Sequence, residues 1–245
     1  MSRGAMGEAA RQLPLPFAET ERFEEADFLA APSNAAARAW LDREGEWPER
    51  RLWLWGEGGC GKSHLLHLWA RRTGAVVLRG PLLRGLPALC AGAVAVDDAD
   101  AVAEEQALLH LLNAASEARL SVLLAGRSPP GRWALRLPDL ASRLRATSAV
   151  GIGPAEDELL MTLLARLAAG RQLALPDGLA AWLLARLART PATLREAIAR
   201  LDHASLASGG RVTRGLAAAA LGDLLVAAPP AAVAPALSPP GPMLL

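Results

Sequence analysis

Cysteine is scarce in this 245-residue sequence, which contains only Cys60 and Cys90. Two cysteines cannot build a disulfide framework, so we expect a protein of the reducing cytoplasm. An excess of charge of one sign is also missing, because 26 Lys and Arg residues stand against 25 Asp and Glu residues, for a formal net charge of +1. This balance gives no basis for a sequence-specific DNA-binding surface.

Long apolar runs without charge are absent too, so no membrane partner or membrane-spanning segment is predicted. The first residues lack a basic stretch followed by an apolar core, and no signal peptide is expected. Hydrophobic residues nevertheless make up 52% of the chain. Such a content excludes a chain that is disordered throughout, and the abundance of Ala and Leu favours helices.

Short apolar runs alternate with helical patterns between residues 21 and 153. The alternation predicts a three-layer α/β domain with a parallel sheet. A helix is expected within residues 23–45, with Ser33 or Asn34 as its N-cap. The predicted strands lie at 52–55, 75–80, 92–100 and 120–126.

The alternation of strand and helix patterns ends near residue 153, and the helical patterns of residues 154–226 predict a small all-helical lid domain. Pro154, Pro176 and Pro191 are each expected in a first helical turn, where proline is tolerated. Residues 1–20 are interpreted as a flexible arm, and the Ala/Pro-rich residues 227–245 as a disordered tail. The predicted lid helices span 154–171, 176–189, 191–208 and 212–225.

Residues 56–63, GEGGCGKS, fit the phosphate-binding pattern G-x-x-x-x-G-K-S between a predicted strand and a predicted helix. Glycines let backbone N–H groups curl around a phosphate, toward which the following helix directs its positive end. Lys62 is expected to reach the β- and γ-phosphates, and the Ser63 hydroxyl to bind Mg²⁺.

Asp97 and Asp98 end the apolar run AVAV. Beside a phosphate-binding loop, an acid at this place holds Mg²⁺ through water, and we assign that role to Asp97. Asp98 would orient or polarise the attacking water. The alternative is an ordinary pair of acids at a strand end.

Three arginines have two readings each. Arg143 and Arg145 lie in LPDLASRLRA (137–146), and Arg195 lies early in the third helix of the lid. Composition alone favours solvated helix arginines. In the alternative, Arg143 is an arginine finger that stabilises a phosphoryl group held by a neighbouring subunit, and Arg195 senses the chain's own nucleotide.

These motifs together resemble the AAA+ ATPases, and more specifically the DnaA replication-initiator family. FLAAPSNAAA (28–37), GEGGCGKSHLLHLWA (56–70), VDDAD (96–100) and LPDLASRL (137–144) carry the resemblance. A short N-terminal arm, and a tail where initiators have a helix-turn-helix domain, are most similar to the Hda/HdaA group. That group binds the DNA polymerase sliding clamp and promotes hydrolysis of ATP on DnaA.

The resemblance implies a binding set for ATP or ADP with Mg²⁺. It also implies two partners, the β subunit of the DNA polymerase III sliding clamp and the DnaA initiator, and leaves a homodimer open. Gln12, Leu13, Leu15 and Phe17 resemble a clamp-binding peptide whose prolines keep it extended. The implied cofactor-binding residues are Gly56, Gly58, Gly59, Cys60, Gly61, Lys62, Ser63, His64, Asp97 and Arg195.

Two other interpretations stay open. The peptide at residues 12–17 could be a hydrophobic strap against the protein's own core. The whole chain could be an independent AAA+ ATPase of the helicase-loader or remodelling type, or a nucleotide-binding protein with no replication role. Arg127 falls near the position at which initiators have a polar or acidic group that senses the attacking water. The protein's own ATPase activity is therefore expected to be weak or absent.

Overall fold

The computed structural model of the protein describes residues 23–85 and 92–225. A parallel sheet forms the centre of the first half of the chain. Its strand order is β2-β3-β4-β1-β5, and all its neighbouring strands are parallel. The strands are β1 (Arg51–Trp55), β2 (Val76–Arg79), β3 (Ala93–Asp97), β4 (Ser121–Gly126) and β5 (Ser148–Gly151).

The fifth strand was not predicted, because only one of its four residues, Val150, is buried. A run this short carries no alternating pattern, and its strand conformation comes from pairing with β1, where Trp53 lies opposite Ala149. The four predicted strands are confirmed. β1, β3 and β4 are buried apolar runs inside the sheet, as parallel strands covered on both faces require, and β2 is a more exposed strand at its edge.

Helices cover both faces of the sheet, which confirms the predicted three-layer α/β class. Leu52 and Leu54 of β1 face one core and Trp53 faces the other, because successive strand residues point to opposite sides. The helices of this part are α1 (Pro32–Asp42), α2 (Lys62–Thr73), α3 (Glu105–Glu117) and α4 (Pro138–Arg145). Residues of α1 and α2 pack in the core that contains Leu52, and residues of α3 and α4 pack against Trp53.

The N-cap prediction for α1 was wrong by two or three residues. The N-cap is Ala31, and Pro32 occupies the first helical position, where its lack of an N–H costs nothing. Asn34 contributes from inside the first turn, because its Oδ1 accepts from the Ala31 N–H at 3.1 Å. Its amide also donates to the Leu29 carbonyl at 2.9 Å, which fixes the chain that enters the helix.

Four further helices, α5 (Asp157–Gly170), α6 (Leu179–Leu184), α7 (Pro191–Ser208) and α8 (Arg214–Ala220), form the predicted lid. They share a separate hydrophobic core, which includes Leu164, Leu179, Leu194 and Leu201. Pro191 occupies the first turn of α7 as expected. The expectation was wrong for Pro154 and Pro176, because α5 and α6 each begin three residues later.

Several sequence predictions lie outside the described residues. They are the arm at 1–20 with Gln12, Leu13, Leu15 and Phe17, the tail at 227–245, and Cys90. Their assignments stay predictions.

Candidate functional site

The loop between β1 and α2 has the conformation of a phosphate-binding loop. Gly59 has a φ of 77° and Gly61 a φ of 107°, which are left-handed values that favour glycine. A side chain at Gly56 would meet the Cys60 Sγ at 2.7 Å and the Ile152 carbonyl at 2.9 Å. The loop therefore needs glycine at positions 56, 59 and 61. It leads directly into the N-terminus of α2, where backbone N–H groups and the helix dipole favour an anion.

The Lys62 side chain is turned into this loop. Its ammonium donates to the carbonyls of Gly56 and Glu57, both at 2.8 Å, and the residue is 8% exposed. The amine is thus held by two carbonyls of the loop itself. This arrangement fits a phosphate group, because the same amine is positioned to exchange a carbonyl for a phosphate oxygen.

The lid touches the loop at Gly59. A Cβ built on Gly59 would lie 2.7 Å from the Cβ of Ala192, so a residue larger than glycine would push the lid away. Ala192 belongs to the first turn of α7, whose N-cap Thr190 accepts from the Thr193 N–H at 3.2 Å. The amino end of α7 thus lies beside the phosphate-binding loop.

Arg195 lies one turn further along α7 and is half-buried. Its positive charge acts on His64, the residue after Ser63. The pKa of His64 is lowered mainly by burial and further by Arg195, against the hydrogen bond to the Glu24 carbonyl, which raises it. The charge of Arg195 is therefore felt at the start of α2, and its role as a sensor of the nucleotide stays a prediction.

His64 also connects α2 with the chain that precedes α1. Its Nε2 lies 2.9 Å from the Glu24 carbonyl, and since a carbonyl can only accept, Nε2 donates. The rings of Phe23 and Phe28 meet the imidazole edge-on at 5.5 and 5.3 Å. Phe28 also lies 3.7 Å from the place of a Cβ on Gly61. His64 is therefore a structural link beside the loop.

Asp97 and Asp98 lie at the same edge of the sheet as the loop, because β3 and β1 are parallel and separated only by β4. The Asp97 Oδ1 accepts from the Asp98 N–H at 3.0 Å. Asp98 adopts a left-handed conformation with a φ of 49°. No cluster of three or more His, Cys, Asp or Glu side chains suited to a metal occurs among the described residues.

Arg143 lies at the opposite edge of the sheet. Thr147, just before β5, donates its hydroxyl to the Arg143 carbonyl at 3.0 Å. Arg51 is the first residue of β1, and its pKa is lowered by burial and then by the positive charge of Arg143, against the effect of Glu49, which raises it. The hydrogen bond to Thr147 and the position of α4 just before β5 place Arg143 near the amino ends of β5 and its neighbour β1, whereas the glycine loop follows the carboxyl end of β1.

The Arg143 guanidinium is held weakly by its own helix. Its Nε lies 3.5 Å from the Asp139 Oδ2, and the two side chains are 35% and 61% exposed. Exposed pairs of this kind contribute little, typically about 0.3–0.5 kcal/mol. Arg145 is exposed on the same helix. The side chain of Arg143 is therefore available to a partner at small cost.

Comparison with known proteins agrees with this geometry. Residues 157–218 match the family model of the Hda lid domain. Domain III of the Thermotoga maritima replication initiation protein DnaA is 16% identical, with a TM-score of 0.67 over 83% of this chain and 97% of that chain. AMPPCP-bound DnaA from Aquifex aeolicus is 14% identical, with a TM-score of 0.56 over 70% of this chain and 62% of that chain. The Thermotoga maritima RuvB Holliday junction branch migration motor is 21% identical, with a TM-score of 0.58 over 78% and 67%.

The chain has the fold of DnaA domain III, and its residues 157–218 match the Hda lid domain. The structural likenesses establish the fold, and the match at residues 157–218 relates the helical part specifically to the Hda lid domain. None of the helices in the described residues has the length and hydropathy of a membrane span.

Two acids of this AAA+ fold were missed by sequence reasoning. The Asp100 carboxylate accepts from the Arg127 N–H at 2.6 Å, just after β4. The Glu105 carboxylate accepts from the N–H groups of Arg136 and Leu137, just before α4. The acidic run that contains both was visible in the sequence, but their partners are 27 to 32 residues away.

Proposed function

We propose that this protein regulates the initiation of DNA replication as a nucleotide-bound adaptor. It binds ATP or ADP in its own loop at residues 56–63 and is tethered to the sliding clamp through residues 12–17. From there it lends Arg143 to ATP held by DnaA and promotes hydrolysis of that ATP, which inactivates the initiator.

Nucleotide binding is supported by the loop conformation, by the buried ammonium of Lys62, and by the amino end of α7 beside Gly59. DnaA neighbours of the same fold are bound to AMPPCP. Lys62 would contact the phosphates, and Arg195 would approach them from the lid. In this proposal, Arg195 therefore contacts the nucleotide that its own chain binds.

Magnesium fits the same place, since this ion prefers oxygen ligands and is commonly held by one or two protein groups together with phosphates and water. The Ser63 hydroxyl would bind it directly and the Asp97 carboxylate through water. When bound, the ion would neutralise phosphate charge. Asp98 would orient a water molecule.

The position of Arg143 carries the proposal. It lies at the amino edge of the sheet, beside Arg51, and the loop that holds the chain's own nucleotide lies beyond the carboxyl end of the five-residue strand β1. Such a strand spans about 13 Å at roughly 3.3 Å per residue. An arginine at this edge lies about the length of a strand away from the loop of its own chain, which favours action on a partner's ATP.

The clamp tether rests on the sequence of residues 12–17 and on the Hda type of the lid. Leu13, Leu15 and Phe17 would fill apolar pockets, and Gln12 would form a hydrogen bond at their edge. Pro14 and Pro16 restrict the unbound peptide to extended conformations, which lowers the entropy lost on binding.

An independent AAA+ ATPase of the helicase-loader or remodelling type is the second candidate, and one set of residues favours it. Lys62, Ser63, Asp97 and Asp98 form a complete set for phosphate and magnesium chemistry. Against it, the exposed Arg127 follows β4 where a water-sensing group would be expected in the resembling initiators. The two candidates differ in their need for the clamp.

The test measures hydrolysis of ATP bound to DnaA, in the presence of clamp loaded on DNA. Arg143→Ala is expected to keep nucleotide binding and clamp binding but to lose the stimulation. An arginine finger supplied in trans contributes a rate factor on the order of 10³ or more. Arg145→Ala is the matched control, since it removes an exposed arginine two residues away on the same helix.

Full stimulation by Arg143→Ala would reject the finger assignment, and loss with Arg145→Ala instead would transfer it to Arg145. If the wild-type protein gave no stimulation but hydrolysed ATP by itself, the independent ATPase would become the better explanation.

A further inference from the structure

Glu105 is fastened to the start of the helix that bears Arg143. Its carboxylate accepts from the Arg136 N–H with both oxygens, at 3.1 and 3.0 Å, and from the Leu137 N–H at 2.8 Å. Glu105 itself begins α3 and is half-buried. The carboxylate thus binds two backbone groups that lie 31 and 32 residues further along the chain.

Apolar packing also supports the amino end of α4, because the partly buried Leu135 and Leu137 contact the same core as α3. Helix α4 has only eight residues, Pro138 at its first position, and an N-cap, Leu137, that provides no side-chain hydrogen bond. Helices this short are not stable in isolation and depend on tertiary contacts. Two fully buried residues, Leu140 and Leu144, anchor one side of the helix in the core. Apolar contacts of this kind resist lateral movement but set the direction of the helix axis less well than hydrogen bonds do.

The location of Arg143 follows from the placement of α4. Its pair with Asp139 at 3.5 Å is internal to the helix and moves with it. A helix of this length spans about 12 Å. A small rotation at its amino end therefore displaces the last turn, where Arg143 lies, relative to the sheet. Displacements of about 1 Å at a reacting group can cost roughly a factor of 10² in rate.

We infer that Glu105 is a positioning residue for Arg143. Its carboxylate fixes the residues before α4, and this sets where the guanidinium meets the nucleotide of a partner. The inference rests on the proposed function, since it concerns the same arginine, but it assigns a role to an acid on another helix. Asp100 has a comparable contact at the end of β4 and does not touch the start of α4.

The neighbouring acid Glu104 provides a matched control. Its carboxylate accepts from the Gly85 N–H at 3.2 Å and pairs with Arg84 at 3.6 Å, with about half of each side chain exposed. Glu104 immediately precedes α3, whereas Glu105 is its first residue. The Glu104 carboxylate binds the loop at residues 84–85 and not the start of α4. Glu104→Ala therefore removes an acid from the same segment without releasing α4.

The experiment compares the full-length wild type with Glu105→Ala, Glu105→Asp, Glu105→Gln, Glu104→Ala and Arg143→Ala. The first readout is hydrogen exchange of the amides at residues 136–145, measured by mass spectrometry on the protein alone. We expect faster exchange for Glu105→Ala and for Glu105→Asp, whose shorter side chain does not reach. Glu105→Gln keeps one acceptor oxygen and should fall between these variants and the wild type.

The second readout is the maximal rate of hydrolysis of DnaA-bound ATP, taken at saturating protein and well below the melting temperature of every variant. Glu105→Ala should lower this rate about 10-fold or more, with Glu105→Gln intermediate and Glu104→Ala unchanged. The concentration that gives half of the maximal stimulation should change little, because clamp tethering is separate. A role confined to stability would lower melting temperatures and leave the maximal rate intact.

Unchanged exchange at 136–145 in Glu105→Ala would overturn the inference. So would faster exchange combined with wild-type stimulation, in an assay where Arg143→Ala has lost stimulation. If Arg143→Ala itself stimulates fully, the finger assignment and its positioning both fall, and the exchange data then show only a local structural contact.

Discussion

At the scale of single residues, the use of basic side chains distinguishes the phosphate site. Lys62 is the only lysine of the chain, and the other 25 of its 26 Lys and Arg residues are arginines. Arginine offers a planar fork for carboxylates, whereas lysine offers a compact point charge with three donors that suits a phosphate in a tight loop. The exception at residue 62 thus coincides with the position where chemistry demands an ammonium.

Substitution of Lys62 tests the site directly. Lys62→Ala should abolish the stabilisation that ADP or ATP gives, because a ligand that binds only the native state stabilises it by mass action. For the wild type, ligand at 100 times its dissociation constant should add about 2.7 kcal/mol to the free energy of unfolding. Thermal unfolding with and without ADP measures the difference. An equal gain in the variant would show that the nucleotide binds elsewhere.

Arg195 makes a second prediction at this scale, with a control on the same helix. Arg195→Ala should weaken nucleotide binding about 10- to 100-fold, the equivalent of one hydrogen bond to a charged group. Arg200→Ala removes an arginine that pairs instead with Glu196 and Asp223 and should leave the affinity unchanged. Titration of both variants with a fluorescent ADP analogue provides the comparison. Equal affinities would place Arg195 outside the site.

At the scale of elements, the features that could be predicted from the sequence were those with a local sequence signal. The loop at 56–63, the strand that ends in Asp97, and Pro191 at the start of α7 follow from composition and short spacing. β5 was missed because its conformation comes from pairing with β1. The contacts of Glu105 with the start of α4 were missed because they join residues 31 and 32 apart, and such contacts leave no periodic trace.

Hydrogen bonds between the segments before α5 and at the start of α1 predict how the stability of the protein depends on pH. The Glu156 carboxylate, just before α5, accepts from the Ser33 N–H at 2.6 Å and the Ser33 hydroxyl at 2.9 Å, at the start of α1. Its pKa is lowered by its own backbone N–H first and, to a smaller extent, by the two donors of Ser33, against desolvation, which raises it. A lowered carboxylate pKa gives stability that is complete above the unfolded value, about 4.3, and is lost as the pH falls through the folded value.

Wild type should therefore be more stable than Glu156→Gln at pH 7. The difference in melting temperature should shrink as the pH falls below about 4. Paired thermal unfolding curves from pH 7 to pH 3 measure it. A difference that stays constant over this range would show that the charge of Glu156 does not contribute to the contact with Ser33.

At the scale of the whole molecule, the proposed function assigns the two basic sites to different partners. Lys62 and Arg195 lie at the carboxyl edge of the sheet with the chain's own loop, and Arg143 lies at the amino edge. The exposed pair that holds Arg143 is too weak to confine it. An adaptor needs such a separation, because its own nucleotide and the partner's ATP must be contacted at the same time. The proposed function also requires delivery to the place where DnaA is found, and we assign that step to the clamp-binding peptide at residues 12–17.

The arm should therefore be separable from both basic sites. Gln12→Ala combined with Leu15→Ala and Phe17→Ala should eliminate binding to the sliding clamp, since anchors buried at an interface are typically worth about 2 kcal/mol or more each. The melting temperature and its increase with ADP should stay at wild-type values. Clamp affinity is measured by surface plasmon resonance, with Arg143→Ala as the control that binds normally.

Stimulation of ATP hydrolysis on DnaA should be lost in both variants. A raised protein concentration should restore it only in the arm variant, because the tether acts by raising the local concentration of Arg143. Unchanged clamp affinity, or a fall in melting temperature, would favour a strap that packs against the protein's own core.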